Sequence, residues 1–335
     1  MTRSKVQRKA WQLYLSQARR VWNHLPASVH SRPFGRKFAC HMDRMVRLHA
    51  DRKQAFATFF MRNRPELELL NRLVGCKSHG SRLDIAILAC SKGAEVYSMA
   101  WAIRSKRPDI QLKITAVDIS KEIVDFASRG VYSVARRGDT FADQDGMPER
   151  SAGVQRNTDR DQNAWIFERM FHQEIAAMFE VEGSQAQIRP YLKQGITWMC
   201  GDASSSQLKE VLGPQDIVVA NRFLCHMQPE EAKACLRNSA QMVKPGGHLF
   251  VSGIDLDVRS SVALEMGLRP VTDLIREIHD GDQSLRRGWP VEYWGLEPLD
   301  DTQPDWQTRY ASVFQVGDPE PAMDVELAEV EHRGK

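Results

Sequence analysis

The chain has 335 residues, 42% of them hydrophobic and 27% charged, with a formal net charge of +3. This length predicts one large or two modest domains, and the apolar fraction excludes a mostly disordered chain. No run approaches the ~18 uninterrupted apolar residues of a membrane span, and the six cysteines lack C-x-x-C spacing, which predicts reduced thiols, a cytoplasmic setting and no metal site.

Residues 1–75 carry 16 Lys and Arg against 4 Asp and Glu, whereas the remainder holds 30 basic and 39 acidic residues. The opening MTRSKVQRKAWQLYLSQARR lacks the apolar core of a secretory signal, although an Arg-rich amphipathic start also occurs in transit peptides. Stretches 4–24 and 38–56 have apolar residues at helical spacing on either side of the Pro-containing 26–36. Such a basic helical region either docks onto an acidic protein partner or another anionic surface, or solvates its cationic faces beside the acidic remainder. No zinc finger, RRM-like aromatic motif or helix-turn-helix accompanies it, so nucleic acid is not an expected partner. ATFFMRNRPELELLNRLVG then reads as a loop and a helix, with Pro65 in the first turn and Gly75 past the end.

The pattern changes at residue 83. LDIAILAC (83–90) is a continuous apolar run, the sign of a buried parallel strand, followed by the helix VYSMAWAIRSK, the strand QLKITAVDIS (111–120) and the helix KEIVDFASRG. This βαβα order predicts a doubly wound α/β sheet. Residues 136–163 are polar and Gly-rich and read as a lid-like excursion. Further on, the pattern predicts a helix over 165–179, strands over 195–203, 215–224 and 246–254, the last introduced by the turn Lys244-Pro245-Gly246-Gly247, and helices over PEEAKACLRNSAQMV and VTDLIREIHDG. WGLEPL and RYASVFQV read as closing strands, giving one domain over 76–317 and a tail over 318–335.

Three strand ends carry polar residues that one sheet edge would bring together. Cys90-Ser91-Lys92-Gly93-Ala94-Glu95 forms the first βα turn, Asp118 ends the second strand 25 residues beyond Gly93, and Gly201-Asp202-Ala203 ends a later one. In a βαβ unit this arrangement sets backbone N–H groups near one end of a nucleoside and a carboxylate near its ribose hydroxyls. Each acid alone also suits a strand end or helix cap. The missing second and third glycines of G-x-G-x-x-G disfavour a pyrophosphate, so a cofactor with one ribose and no phosphate is expected, and S-adenosylmethionine is such a molecule.

The block Cys90-Ser91-Lys92-Gly93-Ala94-Glu95-Val96-Tyr97-Ser98 resembles the C-S-T-G-E-E-P-Y-S of CheR-type methyltransferases, which esterify receptor glutamates in bacterial chemotaxis. Thr58-Phe59-Phe60-Met61-Arg62, Asp118-Ile119-Ser120 with Gly130-Val131-Tyr132, Asn221-Arg222-Phe223-Leu224-Cys225-His226-Met227 and Pro245-Gly246-Gly247-His248-Leu249-Phe250-Val251 resemble further blocks of that family in order, over residues 55–255. The resemblance implies a class I, Rossmann-like sheet of seven strands behind an N-terminal helical region. It also implies cofactor contacts at Thr58, Arg62, Cys90, Gly93, Glu95, Asp118, Asp202, Ala203, Asn221 and Arg222. Arg62 suits the methionyl carboxylate, Glu95 the amino group, Asp118 the ribose diol and Asp202 the adenine amino group.

Departures fall mostly on the acceptor side. His226 replaces a family Tyr, Val96 a Pro and Asp202 an Asn, and the region beyond 255 does not resemble the usual ending. An ionised carboxylate needs no base to accept a methyl group, whereas a phenol, alcohol or ammonium must lose a proton. The family resemblance and the basic N-terminal region imply O-methylation of a carboxylate such as a protein glutamate, with Arg62 near the reacting centre. The alternatives are a small-molecule or peptide acceptor with His226 as base, or an inactive cofactor-binding signalling module. Trp289, Tyr293, Trp294 and Trp306 either wall an acceptor pocket or form a closing core, and His172 and His279 read as structural.

Overall fold

The computed structural model describes residues 58–134, 165–281 and 299–317, with scattered helical positions between 13 and 45. The stretches 136–163, 294–298 and 318–335, and with them the expected lid, most of the WGLEPL strand and the tail, lie outside the described residues, as do Trp289, Tyr293 and Trp294. In the N-terminal segment Val29, Phe34 and Gly35 are helical, so the Pro-containing stretch is helical at these positions.

Helix α1 (Arg64–Gly75) starts at Asn63, whose side chain accepts from the Glu66 N–H, with Pro65 in the first turn as its fixed φ favours. Strand β1 (Arg82–Leu88) leads through α2 (Ala94–Lys106) to β2 (Gln111–Asp118), and α3 (Lys121–Arg129) follows under a Ser120 cap. The later elements are α5 (Pro190–Lys193), β6 (Ile196–Cys200), α6 (Leu208–Leu212), β7 (Gln215–Val219), α7 (Pro229–Ala240), β8 (Val243–Phe250), α8 (Leu256–Glu265), β9 (Arg269–Pro270), α9 (Ile275–Asp280), α10 (Trp306–Tyr310) and β10 (Val313–Gln315). The sheet order is β6-β2-β1-β7-β8-β10-β9, parallel from β6 to β8, with β10 antiparallel to both neighbours.

Why β1 reads as an unbroken apolar run is now plain, because both faces are covered. Ala86 and Leu88 face α7 and α8 through Ala232, Leu236 and Val262, whereas Ile85 and Ile87 face α1 and α2 through Leu69, Leu70, Met99 and Ile103. α1 thus packs beside α2 on one face of the sheet. Chain order reverses between β1, with β2 on one side, and β7 on the other. A crevice opens at the carboxyl ends of the strands at such a switch point.

Three expectations need correction. Residues 165–179 are a short 3-10 turn (Trp165–Phe167) and a separate helix α4 (His172–Met178), broken where the Phe171 N–H donates to Glu174. Of RYASVFQV only Val313–Gln315 is strand, because residues 306–310 form α10, which packs against α8. Lys244–Gly247 lie inside β8 as a bulge, the ladder passing from Gln215–Val243 directly to Ile217–His248.

A second, three-stranded antiparallel sheet, absent from the sequence reading, is built from β3 (Val131–Ser133), β4 (Phe179–Glu182) and β5 (Gln185–Ile188) in the order β3-β5-β4. Phe60 joins it to the main domain, its ring 5.2 Å from Tyr132, 5.6 Å from Phe167 and 5.1 Å from Phe179. The Tyr132 hydroxyl donates to the Lys92 carbonyl at 2.7 Å, which ties this sheet to the β1–α2 turn.

Gly93, the cap of α2, has φ of +83°, and a Cβ there would meet Trp198 at 3.0 Å, Ala127 at 3.1 Å and Tyr97 at 3.3 Å. Gly93→Ala is expected to destabilise the fold by about 2 kcal/mol, through a left-handed backbone and overpacking together. Chemical denaturation with an unchanged m-value reads this out.

Candidate functional site

The carboxyl ends of β1, β2, β6 and β7 surround a solvent-open cleft of about 860 Å³, to which the 58–62 segment adds a wall. Its lining includes Thr58, Arg62, Cys90, Glu95, Asp118, Asp202, Ala203, Asn221, Arg222 and His226. Of the expected cofactor contacts and His226, Gly93 alone is not a lining residue, and it acts from behind by letting α2 start where it does. Five non-glycine described residues have positive φ, and four of them (Met61, Ala89, Ser91 and Arg222) line the cleft or adjoin its lining. Strained backbone of this kind persists where surrounding packing over-determines it, and it gathers at ligand sites.

One end of the cleft is organised by Asp118. Its carboxylate is buried and accepts from the Ser91 N–H at 2.8 Å and the Ser120 N–H at 3.1 Å, so it locks the turn after β1 to the turn after β2. Burial raises its pKa from the ordinary carboxylate value, against the pull of these N–H donors. Asp202 accepts from the N–H (2.9 Å) and hydroxyl (2.7 Å) of Ser204, which fixes the turn after β6 beside buried Ala203. Cys90 is buried and its thiol is pushed well above the usual range, first by desolvation and then by Asp118, so it is an apolar wall and not a thiolate.

The other end is a charged cluster. Asn221 donates through Nδ2 to Glu66 Oε1 at 2.7 Å and to Glu95 Oε1 at 2.8 Å, while its Oδ1 accepts from the N–H and hydroxyl of Ser252, both at 2.9 Å. The Ser252 backbone donor fixes which end of the amide is oxygen, so Nδ2 faces the two carboxylates. Four hydrogen bonds exhaust this side chain, which makes Asn221 a brace for its neighbours. Arg62 and Arg222 supply positive charge to both carboxylates, and Arg62 also lies over the Phe59 ring at 5.4 Å. Desolvation pushes Glu66 up to about 7, with Glu95 adding to the rise, and desolvation raises Glu95 as well.

A smaller recess continues past these residues, lined by Asn63, Glu66, Ser98 and Ser252 with Arg62, Glu95, Asn221 and Arg222 shared between the two hollows. Glu66 and Ser252 were not found by sequence, nor was Gly253, whose left-handed backbone leaves room for Arg222, a Cβ there falling 2.8 Å from Arg222 Cγ. His226 sits in a short 3-10 turn (Leu224–His226) after β7, and burial lowers its pKa, so the ring is neutral at pH 7. Trp306 is partly buried against the core on α10, His279 is buried against Tyr310, and His172 is exposed. Among the described residues no group of three or more His, Cys, Asp and Glu could hold a metal ion, and no helix is long and apolar enough to cross a membrane.

Comparison with known proteins gives two family matches. Residues 57–139 match the CheR methyltransferase SAM-binding domain, and residues 167–251 match a methyltransferase domain. The chain thus carries an S-adenosylmethionine-dependent methyltransferase domain with the doubly wound class I fold. A 58-residue stretch is 36% identical to phosphoethanolamine N-methyltransferase 1 of Triticum aestivum, covering 17% of this chain and 12% of that protein's length. Similar solved structures include the N-methyltransferase NodS of Bradyrhizobium japonicum WM9 (14% identity, TM-score 0.32, 76% of this chain and 86% of that one). Another is the magnesium protoporphyrin IX methyltransferase of Synechocystis PCC 6803 (16%, 0.32, 69% and 82%).

Proposed function

We propose that the chain transfers the methyl group of S-adenosylmethionine to a carboxylate oxygen, in the manner of the CheR family it resembles. The observation that carries this reading is the pairing, in one cleft, of a carboxylate held by two turn N–H groups with an arginine–glutamate cluster at the other end. A molecule with a ribose diol and a zwitterionic amino-acid end matches that donor set. Asp118 takes the diol, Asp202 the adenine side, Arg62 the methionyl carboxylate and Glu95 the ammonium. Bound there, the sulfonium supplies an electrophilic methyl group. The protein's own task is alignment and the exclusion of water. The basic N-terminal segment suits a protein acceptor of acidic character.

A second reading is favoured by His226, a neutral imidazole lining the cleft where a base for a protic acceptor would stand. Two measurements separate them. Labelled methyl product from lysate is expected to release methanol in mild base, as an ester does, and a base-stable product sinks the carboxylate reading. His226→Ala is expected to keep turnover within about threefold, whereas a general base is worth roughly a hundredfold or more. Arg62→Ala is expected to weaken cofactor binding by about tenfold or more, through the lost charge-assisted pair.

A further inference from the structure

We propose that Glu66 and Glu95 act together across the Asn221 amide as one anionic seat for the cofactor's ammonium, with Glu66 setting the charge of that seat. The inference rests on the cofactor reading above and extends it to a residue that no motif marks. Glu66 arises from α1, Glu95 from α2 and Asn221 from the segment after β7, and one amide nitrogen touches both carboxylates at 2.7 and 2.8 Å. Among the described residues each carboxylate receives one hydrogen bond, the one from Asn221. That leaves each a second oxygen with acceptor capacity, at the junction where the cleft and the recess share their walls. Two spare carboxylate oxygens beside a void suit a primary ammonium, which brings three N–H donors.

The charge balance supports the same conclusion. The groups bearing on Glu66 are Glu95 from α2, Arg222 from the segment after β7 and Arg62 from the segment before α1. On its own helix, Glu68 and Arg72 pair with each other at the surface, and α9 meets α1 through the Ile278 carbonyl, which accepts from Asn63. With both carboxylates ionised the two arginines are matched, and the seat can take a zwitterion. With Glu66 protonated, as its pKa of about 7 allows in slightly acidic solution, the seat is one negative charge short for an ammonium. A cation bound there lowers the Glu66 pKa and drives off its proton, so affinity must rise with pH as Glu66 ionises.

The test is calorimetric titration between pH 6 and 8.5 with S-adenosylhomocysteine, which keeps the amino acid, and with 5′-methylthioadenosine, which lacks it. Wild-type affinity for S-adenosylhomocysteine is expected to rise towards pH 7 with a slope of up to about tenfold per pH unit, the limit for one linked proton. Glu66→Gln is expected to bind about tenfold more weakly at pH 8 and to lose that slope, while 5′-methylthioadenosine binds both proteins alike at every pH. Wild-type slope and affinity in Glu66→Gln would overturn the proposal, as would an equal slope with 5′-methylthioadenosine. If Glu66→Gln does not fold, titrating the wild type at pH 7 in buffers of different ionisation enthalpy decides. Release of about half a proton with S-adenosylhomocysteine and none with 5′-methylthioadenosine supports the seat, and equal release from both refutes it. Absence of binding by either compound at any pH overturns the cofactor reading itself.

Discussion

Asp118→Ala is expected to weaken S-adenosylmethionine binding by about a hundredfold or more while the protein stays folded. Two losses combine. The carboxylate proposed to take the ribose diol is removed, and the N–H groups of Ser91 and Ser120 lose the acceptor that holds two turns in register. A charge-assisted hydrogen bond is worth about 1.5–3 kcal/mol and each tenfold in affinity about 1.4 kcal/mol, so the diol alone accounts for much of the effect. Asp118→Asn separates the contributions. Its amide oxygen can still accept from one of the two N–H groups, but its NH2 cannot accept from the other or from a hydroxyl. An intermediate loss of about tenfold is expected. Titration calorimetry on protein of unchanged circular dichroism measures both. Binding by Asp118→Ala within twofold of wild type would remove Asp118 from the cofactor site.

Glu66→Gln has a second expected effect, on stability without ligand, and here the sign is opposite to its effect on binding. Glu66 titrates near 7 in the folded protein against 4.5 ordinarily, so folding favours its protonated form. Its contribution is complete below about pH 4.5, declines between 4.5 and 7, and above 7 stands as a deficit of about 3 kcal/mol. The isosteric glutamine carries no such deficit and also relieves Glu95 of a neighbouring charge. At pH 8 the variant should therefore melt higher than wild type by about 5–10 °C, and the gap should close on acidification towards pH 5. Glu95 and Asp118, also raised by burial, lie in both proteins and move both melting curves alike to first order. Asp109 and Asp216, whose values are lowered, matter only at lower pH, where their ion pairs are lost. Equal melting temperatures at pH 8 would show that Glu66 is not held in an unfavourable charged state.

The parts of the fold that could be read from sequence are those where a local pattern has one solution. From Ile85 to Leu88 β1 is buried on both faces, and only a sheet covered on both sides gives that, whereas β2 alternates up to Ala116. Asp118 and the Cys90–Glu95 turn were legible because strand ends in a doubly wound sheet converge whatever the details. The small sheet was hidden, since β3 to β5 are three or four residues each and too short for alternation to show. A helix over 165–179 fitted the apolar spacing, but Glu174 caps a new start at Phe171, an event decided by one side chain. Glu66 was illegible for another reason. In PELELL it has the look of a solvent-facing helix residue, and only tertiary packing brings it beneath Asn221. Ser252 falls inside the strand predicted over 246–254, but β8 ends at Phe250, and only the structure shows its donors setting which way the Asn221 amide turns.

The position of β10 bears on how the molecule is made. Although it comes after every other described strand in the chain, it lies inside the sheet, between β8 and β9, and not at the rim. During synthesis the ribosome must release residue 315 before β8 can find its outer partner, so until then the nascent chain shows an open ladder of N–H and C=O groups beside a nearly finished core. A message cut short upstream of Val313 would yield a product with intact cofactor motifs yet a sticky flank. Such a product should be recovered in aggregates or bound to chaperones, not as a dilute active fragment.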